Sequence, residues 1–314
     1  MGAPSGPRLG RLTGVVTVTD DGGSSGRLRR DFGVLPPGDI RSCIAALGDD
    51  TDLLTRLFQY RFPNGGGLAG HSFGNLFLTA LTGITGDFYQ AILTAEQVLS
   101  VRGQIYPATL TDVRLEGLGS SGRVYAGESA IGRSGEPLER VTIVPANPPA
   151  FPPAVEAIEQ ADLVLLGPGS LYTSILPNLL IASIRRAVAE SPAPVVLLLN
   201  LMTQPGETDG MDGIAHLEAL RRQAHSLDLR AGGRDPLVDA VLVNSTPPSP
   251  DLVRRYADLG AEPVAVDRAA FEAAGVRVLE SDLLAEGDLV RHDPAKLGRA
   301  VADLALHREM ARAG

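Results

Sequence analysis

The residues Gly14 to Thr19, GVVTVT, form a short β-branched apolar run that stops at the turn formers Asp20, Asp21, Gly22 and Gly23. The pattern predicts a buried strand followed by a loop. From Asp39 to Leu47 and from Asp52 to Tyr60 the apolar residues fall at helical spacing, and Gly65 to Gly67 mark a loop before the apolar stretch Leu76 to Leu81. Helices are expected to dominate Asp39 to Val101. Between Gln104 and Val144 the pattern changes to alternating segments, DVRLEGL, RVYAGESAI and LERVTIVP, separated by Gly, Ser and Pro. Antiparallel strands read this way, so an inserted β layer is expected over 104–145. After Pro145 the runs Asp162 to Leu166, Val195 to Leu199 and Ala240 to Val243 are continuously apolar, and each leads into polar residues and a helical stretch. Strands buried on both faces have this signature, which predicts a mostly parallel sheet flanked by helices, an α/β fold. Shorter β-like pieces at Glu262 to Val266 and Val276 to Leu279 would extend the sheet, and Pro294 suits the first turn of a final helix through Arg312. The Pro-rich stretch Pro145 to Pro153 is the strongest internal boundary. Read as a connection from the β layer back to the sheet, it leaves one domain over 13–314.

An open parallel sheet binds ligands outside the carboxyl ends of its strands. The segments at those ends are DDGGSSGRLRR, GPGSLYTS, NLMTQPGETDG and NSTPPSP, and all four are expected to line one edge. Asp20 and Asp21 terminate a buried strand, where their carboxylates could hold magnesium or accept from sugar hydroxyls. Gly22, Gly23, Ser24, Ser25 and Gly26 supply backbone N–H groups for an anion, and Arg27, Arg29 and Arg30 supply positive charge. The plainer alternative is an acidic turn before a solvated basic helix start. Gly167, Gly169 and Ser170 can bring N–H groups up to a phosphate at a helix start, with Tyr172 just beyond; a Gly-Pro-Gly turn is also an ordinary connector. Asn200 and Asn244 donate and accept in one plane, as a nucleobase or sugar edge requires, and are equally common turn formers. Thr203, Gln204, Glu207 and Thr208 make a polar loop bent at Pro205 and Gly206. His71, in GHSFGN, opens a helical stretch beside Ser72, and His292 sits in VRHDP. His216, His225 and His307 read as surface helix residues. No histidine pair has zinc-ligand spacing, and Ser170 lacks the G-x-S-x-G context of a hydrolase nucleophile.

Composition narrows the partners. With 314 residues, 44% of them hydrophobic, the chain can bury a sizeable core. The net charge of -9 argues against nucleic acid as a partner. Of 28 Lys and Arg residues only Lys296 is lysine, an arginine bias that genome composition explains. Cys43, the single cysteine, requires no oxidising compartment. The chain contains no apolar run of membrane-spanning length, and Met1 to Leu12 lacks a signal-peptide core, so a cytoplasmic location is expected.

Longer motifs add a family. VTVTDDGGSSGRLRRDFGVLPPGDIRSCIAAL, GGGLAGHSFGNLFLTAL, LLGPGSLYTSILPNLL, NLMTQPGETDG and VRHDPAKL resemble the bacterial gluconeogenesis factor (YvcK-type) group within the 2-phospho-L-lactate transferase (CofD-like) superfamily. The resemblance runs in order from about Thr13 to the last helix. It implies a Rossmann-like three-layer αβα core that binds a nucleotide-diphosphate sugar, UDP-N-acetylglucosamine in particular. The implied role is regulatory, in cell shape and wall synthesis during growth on gluconeogenic carbon. It requires no cofactor, and wall-synthesis proteins and a second copy of the chain would be its partners. Transferase relatives instead join a phospholactyl group to a deazaflavin precursor, using a guanylylated donor and magnesium; in that alternative Asp20 and Asp21 would hold the metal. The DDGGSSGRLRRDFG and MTQPGET segments resemble the factor group, and aromatic residues at 4% with no Trp offer no clear deazaflavin pocket. Matched by motif, Asp20 to Arg27, Gly167 to Ser170 and Asn200 would line the ligand cleft, with Gly38, Asp39, His71 and Asn75 nearby. One departure is the absence of the apolar first strand and G-G-G-T-G turn that relatives carry ahead of Gly14. An incomplete start over 1–12 and weakened diphosphate binding are therefore expected.

Overall fold

The computed structural model describes residues 10–48, 53–225 and 237–312. The segment 1–9 and the side chains of His225 and His307 lie outside the described residues. Two parallel sheets and one antiparallel sheet organise the chain. Strand β1 (Thr13–Val16) leads into helices α1 (Gly23–Phe32), α2 (Gly38–Leu47), α3 (Leu53–Gln59), α4 (Phe73–Thr85) and α5 (Phe88–Val98). The chain then returns as β2 (Gln104–Pro107), which pairs in parallel with β1, Thr13 opposite Gln104. The antiparallel sheet follows, built from β3 (Arg114–Gly119), β4 (Val124–Ala126) and β5 (Leu138–Val144) in the order β4-β3-β5, with the short helix α6 (Glu128–Ile131) between β4 and β5.

Helix α7 (Pro152–Glu159) leads to β6 (Val164–Leu166), one turn of π-helix (Leu171–Ile175), and α8 (Leu176–Leu180) with α9 (Ala182–Glu190). Then come β7 (Val195–Leu198), α10 (Gly213–His225), β8 (Ala240–Asn244), α11 (Pro250–Ala257), α12 (Arg268–Ala273), β9 (Arg277–Ser281) and α13 (Pro294–Arg312). Strands β6-β7-β8-β9 form a four-stranded parallel sheet, so their carboxyl ends share one edge.

Residue chemistry sets several of these boundaries. Ser72 and Asp87 cap α4 and α5 by accepting from the Asn75 and Gln90 N–H groups, and Gly33 and Gly86 end α1 and α4 in the left-handed conformation. One apolar cluster runs from Val18 and Ile40 through Ile105 and Leu115 to Val195 and Val241, so both parallel sheets and the antiparallel layer share a core. On the other face of the four-stranded sheet, Val196, Leu198, Ala240, Leu242 and Leu283 pack beneath Leu297, Ala300 and Leu304 of α13. Helices therefore cover both faces, the three-layer arrangement of a Rossmann-like fold. Each fully buried aliphatic side chain contributes about 1.5–3 kcal/mol relative to exposure.

Several sequence expectations are corrected, among them that His216 is a surface residue: it is buried, with its Nδ1 2.7 Å from the Asp212 carbonyl oxygen. The first strand ends at Val16, and Thr17 to Thr19 continue buried, with the Thr17 and Thr19 hydroxyls 3.0 Å apart. Gln104–Pro107, expected in the inserted layer, joins β1 instead; its residues Ile105, Tyr106 and Pro107 are buried in succession, as in a parallel strand, and the antiparallel sheet spans 114–144. Glu262 to Val266 adds no strand to the sheet. Pro263 lacks the N–H a ladder needs, and the segment meets the chain through an isolated Met202–Pro263 bridge. The expected single sheet is thus two pieces, and among the described residues β1 has β2 as its one ladder partner. No helix among the described residues is long and apolar enough to cross a membrane.

Candidate functional site

The N-terminal ends of α1, α2 and α4 come together around the loop after β1. Asp20 Oδ1 accepts from the Gly22 N–H at 2.8 Å, closing the turn that starts α1. A Cβ at Gly38 would collide with both Asp20 Oδ2 and Ser25 Oγ, so only glycine lets α2 begin this close. Ser24 Oγ lies 2.9 Å from His71 Nδ1, and Asn75 Nδ2 reaches Ser25 Oγ at 3.4 Å. Ser24, Ser25, His71 and Asn75 are all buried. Burial and the Arg27 charge hold His71 below the ordinary histidine range, which favours the neutral ring. Arg27 donates to the Ala69 carbonyl at 2.8 Å, and Arg29 pairs with Asp112 and donates to the Val113 carbonyl. Both arginines thus fasten α1 to neighbouring segments. Asp20, Ser24, Ser25, Gly38, Asp39, His71 and Asn75, separated by up to 55 positions in the chain, form one cluster beside Gly23.

A second cluster forms after β6 and β7. Gly167, with φ 105°, turns the chain, and Gly169 packs against Ser174 of the π-helical turn. Gln204 Nε2 donates to Ser170 Oγ at 2.7 Å, joining the two strand ends. Thr203 is pinned from both sides: its N–H donates to the Glu262 carbonyl and its Oγ1 accepts from the Glu262 N–H. Asn200 follows directly on β7, half-buried. Two residues of the expected set face elsewhere. Tyr172 is buried and its hydroxyl donates to the Leu138 carbonyl at 3.1 Å, so it ties β5 to the core. Asn244 closes the turn after β8, its Oδ1 accepting from Leu283 and Thr246 and its Nδ2 donating to the Thr246 carbonyl.

The inserted layer joins the clusters. Asp21 Oδ1 accepts from the Ser129 N–H at 2.8 Å, and a Cβ at Gly127, whose φ is 93°, would overlap Asp21 Oδ2. Ser134 Oγ donates to the Gly206 carbonyl at 2.7 Å. Glu128 of α6 adjoins these attachments and feels the charges of Asp39, Asp20, Glu207 and Asp21. Burial, then the neighbouring carboxylates led by Asp39, push Glu128 up to about 9. Burial raises Glu207 to about 7, partly offset by Thr173 Oγ1 at 3.5 Å, and burial with the Asp20 charge raises Asp39 to about 6. Glu128 was not expected from sequence. Its available signal is the break in the alternation of RVYAGESAI at Gly127, which replaces a strand with a helical turn.

Each of Asp20 and Asp21 has one oxygen committed to a backbone N–H, from Gly22 and Ser129 respectively. Among the described residues no group of three or more His, Cys, Asp or Glu is arranged to hold a metal ion.

The fold and the sequence have counterparts among known proteins. Residues 7–284 match the family model described as 2-phospho-L-lactate transferase CofD. The chain belongs to the CofD family. Its relatives there include the gluconeogenesis factor of Bacillus subtilis, 42% identical over 294 residues that cover 93% of this chain and 90% of that protein. The gluconeogenesis factor of Halalkalibacterium halodurans is likewise 42% identical, over 93% of this chain and 88% of its own length. A Nostoc relative is 51% identical over 92% of this chain, which spans 62% of that longer protein. A crystal structure of a Bacillus halodurans protein superposes with a TM-score of 0.86 at 41% identity, covering 94% of this CofD-family chain and 91% of the other.

Proposed function

We propose that the chain is a gluconeogenesis-factor regulator that binds a nucleotide-diphosphate sugar, UDP-N-acetylglucosamine, in the cleft between the two clusters. The observation that carries this reading is that one inserted layer is hydrogen-bonded to both polar clusters, Ser129 to Asp21 beside the Gly22–Ser25 turn and Ser134 to Gly206 in the loop whose Gln204 reaches Ser170. Free N–H groups at helix starts suit a diphosphate. Asn200 offers a planar donor and acceptor for a base edge. The relatives named gluconeogenesis factor support the regulatory reading, and in the cell it extends to cell shape and wall synthesis on gluconeogenic carbon. The site of action is the cytoplasm, the partners are wall-synthesis proteins, and the working form is a homodimer.

The family model's description favours a second reading, a 2-phospho-L-lactate transferase, for which the motif resemblance implies a guanylylated donor and a deazaflavin acceptor. Isothermal titration of the 314-residue chain with UDP-N-acetylglucosamine, GDP and a deazaflavin separates the two. Saturable binding of the UDP-sugar alone is expected. Binding of GDP and the deazaflavin without the UDP-sugar would reverse the assignment.

A further inference from the structure

The cleft has an uneven supply of hydrogen-bonding groups. Glu128 Oε2, Glu207 Oε2, Asn75 Oδ1 and Gln204 Oε1 are all buried without a protein partner. Glu207 is 8% exposed and Asn75 2%, so neither reaches bulk water freely. Asn75 is independent of the carboxylates, and it enters the same space through Ser25, whose hydroxyl lies against Gly38 beside Asp20. A buried acceptor without a donor is costly, so a ligand that supplies donors is favoured there. A Cβ at Gly132 would lie 3.7 Å from the Glu128 carbonyl oxygen and 4.0 Å from Glu207 Oε1, which brings the two glutamates to one place. Phosphate oxygens supply acceptors alone, and the acidic side chains whose charges raise Glu128 also disfavour an anion there. Sugar hydroxyls and amide N–H groups donate. A hydroxyl can also accept from Arg41 Nε, an orphaned donor whose guanidinium acts on Asp39.

We propose that Glu128 and Glu207, with Asn75 and Asp39 behind them, receive the uncharged hydroxyl-bearing end of the ligand. The sugar then faces Glu128 of the inserted layer, and the diphosphate is left to the Gly167–Ser170 turn. The two glutamates are specificity-determining: they distinguish a nucleotide that carries a neutral sugar from the bare nucleotide. This inference rests on the nucleotide-sugar reading and adds its orientation. The inserted layer supplies one glutamate and the loop after β7 the other, so sugar binding also bridges those two parts of the fold.

The test is isothermal titration of wild type, Glu128→Ala and Glu207→Ala with UDP, UDP-N-acetylglucosamine and UDP-glucuronate. Thermal unfolding of each protein checks the fold. Wild type should prefer UDP-N-acetylglucosamine to both UDP and the anionic sugar. In each variant that preference over UDP should fall by roughly 3- to 10-fold, the worth of one hydrogen bond to an uncharged carboxyl, while the Kd for UDP stays within about threefold. If the alanine variants fail to fold, Glu207→Gln and Thr173→Val replace them: Glu207→Gln should admit UDP-glucuronate, and Thr173→Val should weaken the UDP-sugar alone. Parallel losses for UDP and the UDP-sugar, or no loss at all, overturn the orientation and leave the nucleotide-sugar reading standing. Binding of magnesium ion alone that disappears in the variants also overturns it, since the carboxylates would then serve a cation. No binding of either nucleotide by wild type overturns both readings.

Discussion

At the outer end of the inserted layer Glu136 accepts hydrogen bonds from Ser120 Oγ at 3.2 Å, Ser121 N at 2.7 Å, Ser121 Oγ at 2.8 Å and Tyr125 Oη at 2.6 Å. At the inner end, Glu128 and Glu207 each bury an oxygen that no protein group satisfies. Glu136 and Glu128 belong to one small inserted layer, and Glu207 comes to Glu128 from the loop after β7, yet the two ends hold carboxyl groups in opposite ways. Tyr125 and Ser121 hold Glu136 down to about 2, whereas burial drives Glu128 up to about 9. The outer end uses its carboxylate to close a hairpin. At the inner end the carboxyls are left for something outside the chain, at a cost to stability that a purely structural layer would have no reason to bear.

The largest expected effect comes from glycine. At the inner end Gly127→Ala combines a φ of 93° with a collision against Asp21, and we expect a loss above about 3 kcal/mol in urea unfolding. At the outer end Gly122→Ala meets a φ of 81° with open space around it, which should cost only about 1–2 kcal/mol. Equal losses would mean that Asp21 does not lock the inner end to the loop after β1, and the contrast between the ends would fail.

The effect of pH is the next in size. A carboxyl whose pKa is raised on folding binds more protons in the folded state, so its contribution is complete below the ordinary value, 3.8 for Asp39 and 4.5 for the two glutamates, and is lost as pH rises through the folded value. Wild-type stability should therefore fall between about pH 5 and 9, by up to about 1.4 kcal/mol per pH unit for each group titrating there. Glu128→Gln should flatten the upper part of that decline and make the protein more stable than wild type at pH 8. Glu136 works in the other direction: its contribution is present above 4.5 and disappears as pH falls toward 2, so Glu136→Gln should alter the acid limb alone. Denaturant titrations across pH 3 to 9 check both limbs, and an unchanged alkaline slope in Glu128→Gln would contradict the burial of that group.

How legible these two ends were in the sequence depends on how far each residue's environment extends along the chain. Strands β6, β7 and β8 were readable because burial on both faces leaves a continuous apolar run. The pairing of Gln104–Pro107 with β1 was not, since its partner lies about 90 positions earlier and a four-residue apolar piece fits either kind of sheet. Asp20, Ser24 and Ser25 stood out as the polar turn after a buried strand and His71 as the start of a helical stretch, while Gly38, Asp39 and Asn75 were singled out through motif resemblance; the three helix starts bring all seven together. Tyr172 and Asn244 have the chemistry of ligand groups, but partners invisible in the local sequence, Leu138 and Leu283, occupy their polar atoms. Glu128 escaped because it lies in a stretch that reads as strand, and Asp21 and Glu207, which give it meaning, are about 107 and 79 residues away in the chain.

The smallest effect sharpens the comparison from the outer side. Tyr125 donates its single hydroxyl proton to Glu136 Oε1 at 2.6 Å, with the Ser134 carbonyl a longer alternative at 3.3 Å. Tyr125→Phe removes that donor but keeps the ring, over which the Arg123 guanidinium sits 5.2 Å from the centroid. Glu136 would retain Ser120, Ser121 and solvent, so the melting temperature should move by no more than about 2 °C. The carboxyl itself should respond more clearly: Tyr125 is the leading cause of its depressed pKa, and without the phenol the value should rise toward 4.5. Titration of the Glu136 side chain by carbon-detected NMR measures this directly. A pKa that stays near 2 in Tyr125→Phe would show that the Ser120–Ser121 turn alone satisfies the carboxylate, and the inner glutamates would then differ from it by lacking a backbone turn to cradle them.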